Sequence, residues 1–157
     1  MDKSILIGTF GAFLAIVGFA IDIETPKKYL IRSGIVGGIS GLVYLLGEKI
    51  GMGVVGASFV SALAVAIVSH LFARKYKTPV TVFLVAGFLI TVPGSGMYRI
   101  VSSFMEKNAP MTSYYLSQTL QIAGAIALAI FLVDAWMDVV KHKAWEKKEI
   151  VKCNKQQ

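Results

Sequence analysis

Five long runs divide the chain at residues 4–21, 31–47, 51–73, 80–105 and 112–133, and within them only Arg32 and Arg99 carry charge. Each run is near or above the ~17 to 25 residues that a tilted helix needs to cross a bilayer. Hydrocarbon offers no water to a backbone N–H or C=O, so a span must satisfy these groups itself. The reading is an all-α integral membrane protein with about five transmembrane helices over residues 1–140, followed by a basic tail over 141–157. Composition agrees, with 55% hydrophobic and 16% charged residues and a mean hydropathy of +0.67.

Where the charges fall predicts the orientation. In a soluble chain, 16 Lys and Arg against 9 Asp and Glu would raise the question of nucleic acid. Here they sit between and after the apolar runs, which points to topology and to no nucleic-acid partner. Lys27, Lys28 and Arg32, then Arg74, Lys75 and Lys77, then Lys141, Lys143, Lys147, Lys148, Lys152 and Lys155 fall on one side, against Lys3, Lys49 and Lys107 on the other. The positive-inside rule then sets the N-terminus outside and the C-terminus in the cytoplasm. Asp2 and Lys3 cancel at the start, so the first run is expected as a retained helix and not a signal peptide. Cys153, the single cysteine, indicates neither a disulfide nor a metal site.

Thr25-Pro26 and Thr78-Pro79 predict helix starts, with threonine as cap and proline in the first turn. Gly34, Gly37, Gly38 and Gly41 form overlapping small-xxx-small pairs expected to pack helices closely, within one subunit or between copies in a homo-oligomer.

The fourth run is the irregular one. Thr91-Val92-Pro93-Gly94-Ser95-Gly96-Met97-Tyr98-Arg99 puts helix breakers and a full charge at membrane depth, and such a break is tolerated only within protein or beside a wet cavity. Val80–Val92 would make about 20 Å of helix and Met97–Met105 about 13 Å. A new helix starting near Ser95 or Gly96 would aim its unpaired N–H groups into the protein, a place for a carboxylate, with Arg99 one turn on. Pro93, Gly94, Ser95, Gly96, Tyr98 and Arg99 are therefore candidate substrate-binding residues. Arg99 could instead snorkel toward the outer interface or approach Glu106. Ser117, Gln118 and Gln121 in the last run could meet the broken helix, the substrate or a neighbouring helix, with Gln118 and Gln121 the candidates for the site. Asp134 could serve ion or proton coupling, although Asp134 and Asp138 also read as an interfacial charge pair, and His70 reads as interfacial.

Three motifs, in this order and spacing, resemble the threonine/serine exporter family, in particular its short, separately encoded membrane subunit. They are Thr25-Pro26-Lys27-Lys28-Tyr29-Leu30 before the glycine-rich span, Ala73-Arg74-Lys75-Tyr76-Lys77-Thr78-Pro79, and Pro93-Gly94-Ser95-Gly96-Met97-Tyr98. The resemblance covers nearly the whole chain. It implies a secondary transporter of the bacterial cytoplasmic membrane that exports threonine, serine or related small carboxylates. It also implies a larger membrane subunit as partner, and two odd-span units of opposite orientation would form an inverted repeat. A small dicarboxylate such as succinate, held by Arg99, the helix end and Arg32, is an alternative substrate. A non-transporting accessory or assembly subunit is another reading. No enzyme is expected: the two histidines, His70 and His142, suggest no nucleophile and base pair, no phosphate-binding loop is present, and no cofactor is implied.

Overall fold

The computed structural model describes the backbone of residues 3–89, 91–92 and 94–154, with side chains for 5–89, 91–92 and 94–140. Pro93, and the tail side chains from Lys141 and His142 through Trp145 to Cys153, lie outside the described residues. Among the described residues there are six helices and no strand: α1 Lys3–Asp22, α2 Lys27–Lys49, α3 Gly53–Tyr76, α4 Thr81–Phe88, α5 Gly94–Met105 and α6 Ala109–Asn154. Four have the length and apolarity to cross a membrane, over Ile5–Asp22, Lys27–Lys49, Gly53–Tyr76 and Ala109–Val140. The fourth expected run is instead two shorter helices, α4 and α5.

The break begins earlier than the glycines suggest. Thr91 turns its hydroxyl back onto the Phe88 carbonyl at 2.7 Å, and the Thr91 and Val92 N–H groups bond the same oxygen at 2.9 and 3.2 Å. Proline at 93 disfavours helical backbone at Val92 and cannot donate to a preceding carbonyl. The chain therefore leaves the helix within one turn, and α4 is only eight residues long. That is about 12 Å of helix where the sequence suggested about 20 Å.

The two expected threonine caps do not form. α2 starts at Lys27 behind Pro26 with no side-chain cap, and α4 starts at Thr81 behind Val80. Thr78 instead donates its hydroxyl to the Tyr29 hydroxyl at 2.7 Å, a tertiary bond that local capping chemistry does not foresee. Glycine is needed at the α2–α3 turn, where Gly51 and Gly53 have φ of +84° and +71°, a region that costs side-chain-bearing residues strain.

Packing divides the broken span between two neighbours. α4 lies against α2 and α3, whereas α5 runs along α6, and α3 and α6 join the two groups. A Cβ on Gly87 would sit 2.7 Å from Val36 and Val65, so this glycine lets α4 seat between α2 and α3. Tyr29, Phe72, Tyr76 and Phe83 pack edge to face around that end, Tyr29 and Phe83 at 5.7 Å and 85°. α3 and α6 run parallel, because Val54 and Ser58 share a cavity with Gln118 and Ile122, Ala62 clusters with Ile122, Ile126 and Ala129, and His70 meets Asp134. Buried between α2 and α3, Ser61 donates to the Ser40 carbonyl at 2.9 Å and accepts from the Ser40 hydroxyl at 3.1 Å. Bonds of this kind hold helices together where apolar contact gives no advantage over lipid.

The glycine stripe of α2 packs against α1. A Cβ on Gly34 would lie 2.6 Å from Val17 and 2.7 Å from Phe13, one on Gly41 2.6 Å from Ala12, and one on Gly37 would run into Ile16. Gly37→Leu should therefore destabilise the fold by about 1–3 kcal/mol, the usual cost of overpacking. Gly38→Ala, whose Cβ would meet Phe13 at an ordinary 3.7 Å, should leave stability unchanged. Thermal unfolding of the two variants in detergent tests this contrast, and equal melting temperatures would contradict the packing.

Candidate functional site

Where α5 starts, the surface opens into a cavity of about 340 Å³ lined by α2, α3, α5, α6 and the turn before α5. The break creates it: α4 ends on α2 and α3, and the chain then crosses to α6, so the space between the two groups is not filled by continuous helix. Gly94 N–H bonds the Val92 carbonyl at 2.7 Å, which leaves Ser95 and Gly96, both at the cavity wall, as first-turn donors. Such donors and the helix dipole favour an anion.

Arg99 lines the same wall, with its guanidinium 5.6 Å from the centre of the Tyr115 ring. α5 is two-faced by sequence: Ser95, Arg99, Ser102 and Glu106 recur at helical spacing, opposite Met97, Val101 and Phe104. Glu106 accepts from the Ser102 hydroxyl at 3.5 Å. The polar face of α5 thus brings its cation to the cavity.

Across from it stands an acid that the sequence did not single out. Tyr44 and Glu48, one turn apart at the end of α2, both line the cavity, and the Tyr44 hydroxyl donates to Glu48 Oε1 at 3.2 Å. The bond comes from the carboxylate's own helix. Gln118, Thr119, Ser58 and Thr91 complete the polar lining. Two of these hydroxyls are committed to backbone, Ser58 to the Val54 carbonyl at 2.8 Å and Thr91 to Phe88.

Of the sequence candidates, Ser95, Gly96, Arg99 and Gln118 meet at this cavity. Gly94 opens α5 without lining it, and Pro93 lies outside the described residues. Tyr98 is 75% exposed and does not line the cavity. Gln121 is also exposed and donates to the Ser117 hydroxyl at 3.3 Å, away from the cavity. Asp134 lies far along α6, where its Oδ1 is 2.6 Å from His70 Nε2. Arg32 sits at the opposite end of α2 from Glu48, its guanidinium 3.7 Å above the Tyr76 ring. Sequence reasoning missed Glu48, Tyr44 and Tyr115. The i, i+4 spacing of Tyr44 and Glu48 was a signal that they share a face, but not of what that face looks upon. Among the described residues, no group of three or more His, Cys, Asp or Glu is arranged to hold a metal ion.

Comparison with known proteins adds an independent observation. The sequence profile described as "Threonine/Serine exporter, ThrE" matches residues 8–136. A protein of Mycobacterium tuberculosis described as a probable threonine/serine exporter is similar to this chain, with 29% identity over 130 residues. The match covers 83% of this chain and 24% of that relative, so the chain spans about a quarter of its length. No solved structure matches.

Proposed function

The chain belongs to the threonine/serine exporter family and is a multi-pass cell-membrane protein, and from that premise we propose that it forms the membrane part of a secondary transporter exporting threonine, serine or similar small zwitterions. The observation that carries the substrate class is the polarity of the cavity: an anion-favouring helix end and Arg99 on one wall, and Glu48 on another. An amino acid has both matching charges. Its carboxylate would meet the Ser95 and Gly96 N–H groups and Arg99, and its ammonium would meet Glu48. Gln118 and Thr119 offer partners for a side-chain hydroxyl. The volume, about 340 Å³, suits a small ligand with some water.

This polarity disfavours the dicarboxylate reading. A second carboxylate would face Glu48, and Arg32, the cation that reading needs, sits by Tyr76 at the far end of α2. The accessory-subunit reading also loses support, since Gly34, Gly37 and Gly41 face α1 side chains and leave less surface for another protein.

Five crossings, with α4 and α5 together as the fourth, are supported by the parallel course of α3 and α6, because the chain between them must return to the starting end. The charge distribution supports a cytoplasmic end at Arg74 and the tail. A larger membrane subunit is supported by the match covering only 24% of the longer relative. Export of labelled threonine from cells with and without the chain and a co-purifying membrane partner tests the proposal. Threonine efflux should rise with the chain present and be inhibited by serine; efflux that succinate inhibits and serine does not would favour the dicarboxylate.

A further inference from the structure

His70 and Asp134 form a contact that the cavity does not use. Their side chains meet at 2.6 Å, with 7% of the histidine and 52% of the aspartate exposed. The imidazole is thus held within the protein and the carboxylate reaches it from the edge of α6. A polar ring at such a depth is costly unless it is bonded, and a bond to a carboxylate is strong and geometrically demanding.

Its place in the fold is informative. The parallel helices α3 and α6 share the wall of the polar cavity at the level of Val54, Ser58, Gln118 and Ile122. They then close through Ala62, Ile122, Ile126 and Ala129, backed by Phe59, Leu63 and Ile130. His70 and Asp134 tie them beyond that seal, about 18 Å of helix from Ile122. Arg74 and Asp138 lie one further turn along α3 and α6. From α2, Lys27, Lys28, Tyr29 and Arg32 are the charged or titratable groups at this end, with Arg32 over the Tyr76 ring; Lys75 and Tyr76 follow on α3, Asp22 ends α1, and α4 supplies none. Of these groups, the histidine and aspartate make the contact nearest the cavity.

An exporter must admit its substrate from the cytoplasm, and the direct way to the cavity along α3 and α6 is closed at this seal. We propose that His70 and Asp134 are the cytoplasmic gate residues of the transport pathway, a latch that opens when substrate enters from inside and closes in the state described here. The inference rests on the exporter reading and its orientation. A purely structural clasp would make the same contact but would never need to open, and a reversible lock separates the two.

In a Cys153→Ser background, His70→Cys with Asp134→Cys allows oxidation to close the latch covalently, and Asp134→Cys alone allows Cd²⁺ to bridge the new thiol and His70. Threonine efflux is measured in membrane vesicles containing the full chain and its co-purifying partner. Locking is expected to reduce efflux at least about tenfold, as gating control of flux requires, with recovery on reduction or chelation and threonine binding retained. Efflux unchanged by a formed lock would overturn the gate. So would failure of both locks to form, or an unlocked pair that reaches the membrane but carries no flux. Absence of threonine efflux in the unsubstituted protein would overturn the exporter reading first, and is distinguished by that control.

Discussion

Arg99→Ala is expected to lower threonine efflux about tenfold while leaving the protein in the membrane at normal levels. A hydrogen bond to a charged group contributes about 1.5–3 kcal/mol, and the lower end applies to a side chain in a wet cavity, where about 1.4 kcal/mol corresponds to a factor of ten. Arg99→Lys keeps the charge but not the planar fork, so it should recover only part of the loss. Ser95→Ala should have a smaller effect, because Ser95 contributes its backbone N–H as well as its hydroxyl. Stability should change little in all three, since Arg99 and Ser95 are exposed at the cavity wall. Vesicle efflux at saturating and subsaturating threonine measures this. Normal flux in both Arg99→Ala and Ser95→Ala would remove the α5 end from the site and return Arg99 to an interfacial role beside Tyr115.

The features legible in the sequence were those written in local chemistry. Apolar runs placed α1, α2, α3 and the apolar part of α6 to within a few residues, because span length follows directly from bilayer thickness. The break before Gly94 was legible for the same reason: proline and glycine act on their own backbone. Its onset at Phe88 was not, because that depends on the Thr91 hydroxyl folding back onto a carbonyl, one of several bonds open to a threonine. The cap at Thr78 failed for a related reason, since Tyr29, 49 residues away, takes its hydroxyl. Long-range pairings decided the rest. That Glu48 faces the α5 end, and that His70 meets Asp134, follows from which helices are neighbours and in what register. Nothing in the residues around Glu48 or His70 encodes that arrangement, and even the i, i+4 pair Tyr44 and Glu48 becomes meaningful only once α2 and α5 share a cavity.

Glu48 is where substrate selectivity is expected to change most. Glu48→Gln keeps the shape of the side chain and its acceptor for the Tyr44 hydroxyl, but removes the charge that would attract an ammonium group. At an exposed cavity wall, a close charge pair is worth about 1 kcal/mol in high dielectric, so threonine should bind about fivefold more weakly. A ligand with a carboxylate and no ammonium, such as lactate, gains nothing from Glu48 and should be unaffected or improved, and succinate, relieved of repulsion, should compete better than before. Selectivity is a difference between affinities, so the ratio of threonine to succinate inhibition should fall by more than either value alone. Glu48→Arg would extend the effect by placing a second cation across from Arg99, the arrangement a dicarboxylate needs and the natural chain lacks at this cavity. Competition of unlabelled threonine, lactate and succinate against labelled threonine efflux measures all three shifts together. A uniform loss for every ligand would mean that Glu48 supports the cavity without contacting substrate, whereas an unchanged ratio with full activity would place the ammonium elsewhere. The predicted signature is an opposite movement of the zwitterion and the dianion, which a simple loss of folding or expression does not produce.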